Sequence, residues 1–139
     1  KNAGVGVGLP DYGRCKIKVA DSKIEIHCGA SENGQGIGQV LVQTVSNELK
    51  LPIDKIVWKN SNSKDDPDSG TSSGSRHTLI SGEACLRATR ELYKDYIAND
   101  KDLNKLNGKE YVADFFEPTD KLGADVEFPV SHIGYGFAP

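Results

Sequence analysis

The sequence contains no methionine, one tryptophan and three cysteines in 139 residues, and 17 Lys and Arg stand against 20 Asp and Glu for a formal net charge of -3. So small an imbalance excludes the basic footprint of a protein that binds nucleic acid or an anionic membrane. No run reaches the eighteen or so apolar residues of a membrane span, and Lys1-Asn2-Ala3-Gly4 lacks the apolar centre of a secretory signal. A cytoplasmic setting is the expectation. Without a methionine at position 1, Lys1 is read as lying downstream of a natural start, and both ends as boundaries of a segment of a larger protein. Cys15, Cys28 and Cys85 have neither C-x-x-C spacing nor an even number, which disfavours a disulfide framework. A zinc site built from them with His27, His77 and His132 is disfavoured too.

What is present is ordinary globular material, 37% hydrophobic before the 15 glycines are counted. The length suits one domain around one core. Cys15-Lys16-Ile17-Lys18-Val19 and Ile24-Glu25-Ile26-His27-Cys28 both alternate with the period of a half-buried strand, and Asp21-Ser22 between them reads as a turn. Folding symmetrically about that turn predicts Cys15 opposite Cys28, Ile17 opposite Ile26, Val19 opposite Ile24 and, on the other face, Lys18 opposite Glu25.

Ile37, Val40, Leu41, Val45 and Leu49 recur at helical spacing, so a helix is expected from about Gly36 to Lys50, with Pro52 as a stop. A short strand follows around Lys55 to Trp58. A second helix is expected from about Ser75 to Asn99, with one apolar stripe of Leu79, Leu86 and Tyr93 beside another of Ile80, Ala84, Ala88, Leu92 and Tyr96. Asp100 to Lys109 reads as a solvated loop, Tyr111 to Phe116 as a last strand, and Pro118 to Pro139 as an extended tail docking on a neighbour. Trp58 and Phe115 are assigned to the core or an interface, His27 and His132 to the surface or to satisfied sites. The expected fold is α+β, a two-layer sandwich in which a small mixed sheet with an N-terminal β-hairpin carries two main helices on one side.

Two segments carry candidate chemistry. Gly34-Gln35-Gly36 turns from a strand into a helix, where unpaired backbone N–H groups and the positive dipole end suit an anion, and the Gln35 amide offers both donor and acceptor. A dinucleotide-binding G-x-G-x-x-G would need glycine where Gln39 stands, so that reading is disfavoured. The polar loop Gly70-Thr71-Ser72-Ser73-Gly74-Ser75-Arg76 opens the second helix. One hydroxyl would suffice as an N-cap, whereas four beside Arg76 suit a phosphate or a polar cofactor arm.

Together these segments resemble the molybdopterin-binding region of molybdenum hydroxylase large subunits, the xanthine dehydrogenase and aldehyde oxidase family. The resemblance runs through Gly34-Gln35-Gly36-Ile37, Gln43, Pro67 to Arg76 and Gly82-Glu83-Ala84, with flanks at Asn2 to Gly6, Asp11 to Arg14 and Gly134 to Pro139. The family usually has threonine where this chain has Gln39. The resemblance implies that Gly34, Gln35 and Gly36 contact the pterin and that Thr71, Ser72, Ser73 and Ser75 hold the pyranopterin or its phosphate. It implies molybdopterin, alone or as its cytosine dinucleotide, with molybdenum, and no catalytic residue or metal ligand in this chain, because the family's glutamate base lies elsewhere. Iron-sulfur clusters and FAD would sit on other domains or subunits, since three cysteines cannot ligate two clusters. Partners would be the rest of the large subunit, those redox units and a small-molecule substrate, a purine, aldehyde or N-heterocycle. The isolated chain would be inactive. A stand-alone anion- or nucleotide-binding module and a structural interaction domain are the alternatives.

Overall fold

A computed structural model describes residues 8, 11–59, 62–73 and 75–128, so the expected return segment, His132 and most of the lead-in lie outside the described residues. The chain forms β1 (Tyr12–Ala20), β2 (Lys23–His27), α1 (Ile37–Leu49), β3 (Ile56–Trp58), α2 (Arg76–Ala98) and β4 (Glu110–Phe116), with short 3-10 helices at Ile53–Lys55 and Leu103–Leu106. β1 and β2 close over Asp21 and Ser22, both with left-handed φ of 49° and 59°, a turn whose twist matches that of the paired strands. Ile17 faces Ile26, Val19 faces Ile24 and Lys18 faces Glu25, the register expected from the alternation. One step beyond the Lys16–His27 pair, the same register sets Cys15 across from Cys28, and both are fully buried with Cys85.

The sheet runs β3-β2-β1-β4 and is mixed: β1 is antiparallel to β2 and β4, and β2 is parallel to β3. A parallel neighbour requires a crossover, which α1 supplies. Ile17, Val19, Ile24 and Ile26 point from the sheet into one core with Leu41, Val45, Ala84, Ala88 and Leu92 from the helices. Each valine, leucine and isoleucine among them contributes about 1.5–3 kcal/mol by leaving water. Gly38 in the first turn of α1 lies against the Trp58 ring, where any Cβ would collide with the indole.

Three details differ from expectation. Of the two apolar stripes on α2, the one through Ile80, Ala84, Ala88, Leu92 and Tyr96 faces the core, while Tyr93 stands exposed. Cys85 and Thr89 lie on the buried side too, so the face turned to the sheet is set by small residues that allow close approach. The polar segment after α2 is not a plain solvated loop, because its 3-10 helix buries Leu103 and Leu106 beneath the end of the core. His27 is incompletely satisfied: Nδ1 meets Asp66 at 3.0 Å, while the buried Nε2 has the Glu25 carboxylate 3.5 Å away without forming a hydrogen bond. Phe115 is partly buried against the core, with the Arg87 guanidinium 4.8 Å above its ring. Among the described residues no helix is long and apolar enough to cross a membrane.

Candidate functional site

The two loops singled out in the sequence lead into the N-termini of the two helices, and the structure brings them together. Ser31 N donates to Ser72 Oγ at 2.9 Å, and Gly29 N donates to Pro67 O at 3.0 Å. Gly29 has no room for a side chain, since a Cβ would stand 2.8 Å from Pro67 O. The segment 29–36 is called loop A here, and 69–75 loop B.

Loop A satisfies itself. Gly36 takes the N-cap position of α1 with a left-handed φ of 77°, which suits glycine. The Glu32 carboxylate accepts from Gly34 N at 2.8 Å and Gly36 N at 3.0 Å, and it is held below the usual carboxylate range first by Gly36 N–H and then by the amides of Gly34, Gly38 and Ile37. The anion expected at this helix end is therefore the chain's own. Gln35 closes the same loop, accepting from Asn33 N at 2.5 Å and donating to Ser31 O at 2.8 Å.

Loop B is built differently. Arg76, fully buried, does not reach outward to an anion as its position beside the loop suggests. It pairs with the buried Asp11 carboxylate and donates to the carbonyls of Ser69 at 2.8 Å, Thr71 at 3.0 Å and Tyr12. Gly70, at φ 72°, passes so close over Arg76 that a Cβ would lie 2.7 Å from Nη2. Tyr12 OH to Asp68 at 2.5 Å and Ser69 Oγ to Arg14 O at 2.5 Å tie the loop's start to β1. The loop backbone is thus clamped from beneath while Thr71 and Ser73 stand exposed and Ser72 and Ser75 half-buried. Ser75 occupies the N-cap position of α2 yet makes no side-chain capping bond. By helix geometry the first-turn amides of α2 lack intrahelical partners.

Behind loop B lies an imidazole. His77 is buried, with Nε2 2.8 Å from Ser72 Oγ and Nδ1 2.6 Å from Ser81 Oγ. Burial, and then the Arg76 charge, lower its pKa to about 4, so it is neutral near pH 7.

Residues 2–124 match the family described as the molybdopterin cofactor-binding domain. The chain belongs to that family. This molybdopterin cofactor-binding domain is 26% identical to xanthine dehydrogenase/oxidase of Felis catus over 117 residues, covering 84% of the chain and 9% of the relative. It is 34% identical over 83 residues to the 6-hydroxypseudooxynicotine dehydrogenase complex subunit gamma of Paenarthrobacter nicotinovorans, covering 60% of the chain and 10% of the relative. Among solved structures, the aldehyde oxidoreductase of Desulfovibrio gigas shares the fold with a TM-score of 0.74 at 21% identity, over 94% of this chain and 16% of that one. The domain spans about a tenth of the length of these curated relatives.

Sequence reasoning missed Asp11, Glu32, His77 and Ser81 as parts of this region. Glu32 had a local signal, an acidic residue just ahead of a Gly-x-Gly helix start. Asp11 had none, because it meets Arg76 across 65 residues.

Proposed function

We propose that this domain is the cofactor-cradling part of a larger molybdenum hydroxylase, and that loop B is its principal hold on the cofactor. The observation that carries the reading is the start of α2: a backbone held by Arg76, first-turn amides without a side-chain cap, and four hydroxyl residues of which Thr71 and Ser73 are exposed and Ser72 and Ser75 half-buried. Such a donor set fits the phosphate of molybdopterin, with or without an attached cytosine nucleotide. Gly34, Gln35 and Gly36 would meet the uncharged edge of the pterin, since Glu32 already supplies the negative charge at α1 and would repel a second anion. The same carboxylate weighs against a stand-alone anion-binding module centred on loop A.

When bound, the molybdenum-pterin group supplies the two-electron redox chemistry by which a carbon of a purine, aldehyde or N-heterocycle is hydroxylated with oxygen from water. The domain's share is binding and orientation. Electrons would leave through iron-sulfur clusters and flavin on other domains or subunits, and the family's glutamate base would come from another segment. Residues 118–139 would dock on the rest of the subunit. Supporting this, Leu122 and Phe128 are exposed in that tail, as are Val112 and Phe116 on the outer face of β4. The isolated domain would be inactive.

The test is the molybdenum and pterin content of the full-length protein, purified from a host that makes molybdopterin, beside a Gln35→Ala, Ser75→Ala double variant. Near-stoichiometric metal that falls in the folded variant is the expected result. A well-folded full-length protein without metal would refute the reading.

A further inference from the structure

Ser72 stands where both loops and α2 meet, and its hydroxyl can accept two hydrogen bonds and donate one. One lone pair takes Ser31 N–H at 2.9 Å. The use of the other depends on the tautomer of His77. Near Nδ1 lie the Ser81 hydroxyl at 2.6 Å and the Arg76 guanidinium Nη1 at 3.5 Å. A guanidinium can only donate, and its positive charge repels an N–H dipole, so the Nδ1 lone pair faces this side. In a neutral imidazole the proton then sits on Nε2 and is donated to Ser72 Oγ at 2.8 Å. Both lone pairs of Ser72 are thereby filled. Its own hydrogen is left over, on a side chain that is only half-buried.

We infer that His77 is a positioning residue that turns Ser72 into an obligate donor toward an acceptor oxygen of the cofactor, either a phosphate oxygen or a carbonyl of the pterin. The inference rests on the reading of loop B as the cofactor hold. A serine free to rotate would donate inward part of the time and welcome a ligand donor as readily as an acceptor. With Ser31 and His77 both donating to it, Ser72 discriminates against donors at that point. Arg76 takes part without touching the ligand, because its charge selects the imidazole tautomer from behind.

The test follows the rate at which molybdenum leaves the full-length holoprotein on dialysis, with the unfolding temperature of each variant recorded. Ser72→Ala removes the donor and is expected to speed release about tenfold, the effect of losing one hydrogen bond to the cofactor. His77→Glu puts an acceptor where the imidazole donates, so Ser72 turns inward, and release again rises about tenfold. His77→Gln, which presents an amide donor at the level of Nε2, is expected to hold release within about twofold of the parent. The Ser72→Ala, His77→Glu double variant should be no faster than Ser72→Ala alone, since His77 acts through Ser72. If His77→Glu does not fold, His77→Asn replaces it, because its shorter amide reaches Ser81 and not Ser72. A phosphorus resonance that shifts in Ser72→Ala assigns the acceptor to the phosphate, and an unshifted one with faster release assigns it to the pterin. Additive effects of the two substitutions, or equal release from His77→Gln and His77→Glu, would overturn the inference while leaving loop B as the hold. Unchanged release in both Ser72→Ala and Ser75→Ala would instead overturn the cofactor reading itself.

Discussion

Loops A and B look alike in sequence, each a short glycine-containing polar stretch running into a helix, yet they solve the same physical problem in opposite ways. In loop A the free amides at the helix start are met by the Glu32 carboxylate, and the Gln35 amide spans the turn. In loop B the Asp68 carboxylate is taken up at the loop's start by Gly70 N and Tyr12 OH, and Arg76 is turned inward onto Asp11 and the carbonyls of Ser69, Thr71 and Tyr12. The first loop is closed by its side chains and the second is held open by one. Composition alone does not separate these outcomes, because the deciding contacts are a carboxylate two and four residues away in one case and a partner 65 residues away in the other.

The comparison breaks first at Asp11. Asp11→Ala leaves a buried guanidinium without its carboxylate, and an equilibrium denaturant titration should show a loss of about 3–5 kcal/mol together with loss of bound molybdenum. If the variant unfolds at the parent's midpoint, Arg76 is not the clamp of loop B. The pH dependence of stability comes next. His77 is neutral in the folded protein down to about 4, whereas an unfolded histidine protonates near 6.5. The unfolded chain therefore binds the extra proton in this window, so stability is full above about pH 6.5 and falls by up to about 3 kcal/mol on descending to about pH 4. His77→Gln should flatten that segment of the curve.

A substitution beneath loop A sharpens the contrast. Gly38→Ala drives a methyl into the Trp58 ring and should lower stability by about 1–3 kcal/mol, read from the same titration, with little change in cofactor release because α1 is not the principal hold. The smallest expected effect is at Glu32. Its folded pKa is lowered, so its contribution is present above the unfolded value near 4.3 and is lost as pH falls through the folded one. Glu32→Gln should produce a slight drop in unfolding temperature near pH 7 and remove that acid-side dependence.

Much of this molecule was legible in advance where a pattern repeats. The period-two alternation around Asp21-Ser22 fixed the hairpin and its register down to Ile17 against Ile26. The helical spacing placed α1 and α2 within a residue at each end. The choice between two stripes on α2 was not legible, because it depends on what the sheet offers opposite small residues such as Ala84, Cys85 and Ala88. The burial of Leu103 and Leu106 was hidden by the charged residues around them. At the candidate site, the hydroxyl-rich stretch was visible as a type of chemistry. Its wiring was not, since the bonds from His77 to Ser72 and Ser81 need three-dimensional neighbours that spacing cannot supply.

The most direct test of the central claim compares stability with cofactor retention in a Thr71→Ala, Ser73→Ala, Ser75→Ala variant of the full-length protein. These hydroxyls are exposed or half-buried and Ser75 forms no cap, so the account predicts an unfolding midpoint within about 0.5 kcal/mol of the parent and a fall in molybdenum content of at least about tenfold. A variant that keeps its metal, or one that loses stability in step with it, would contradict the claim that loop B is held open for the cofactor.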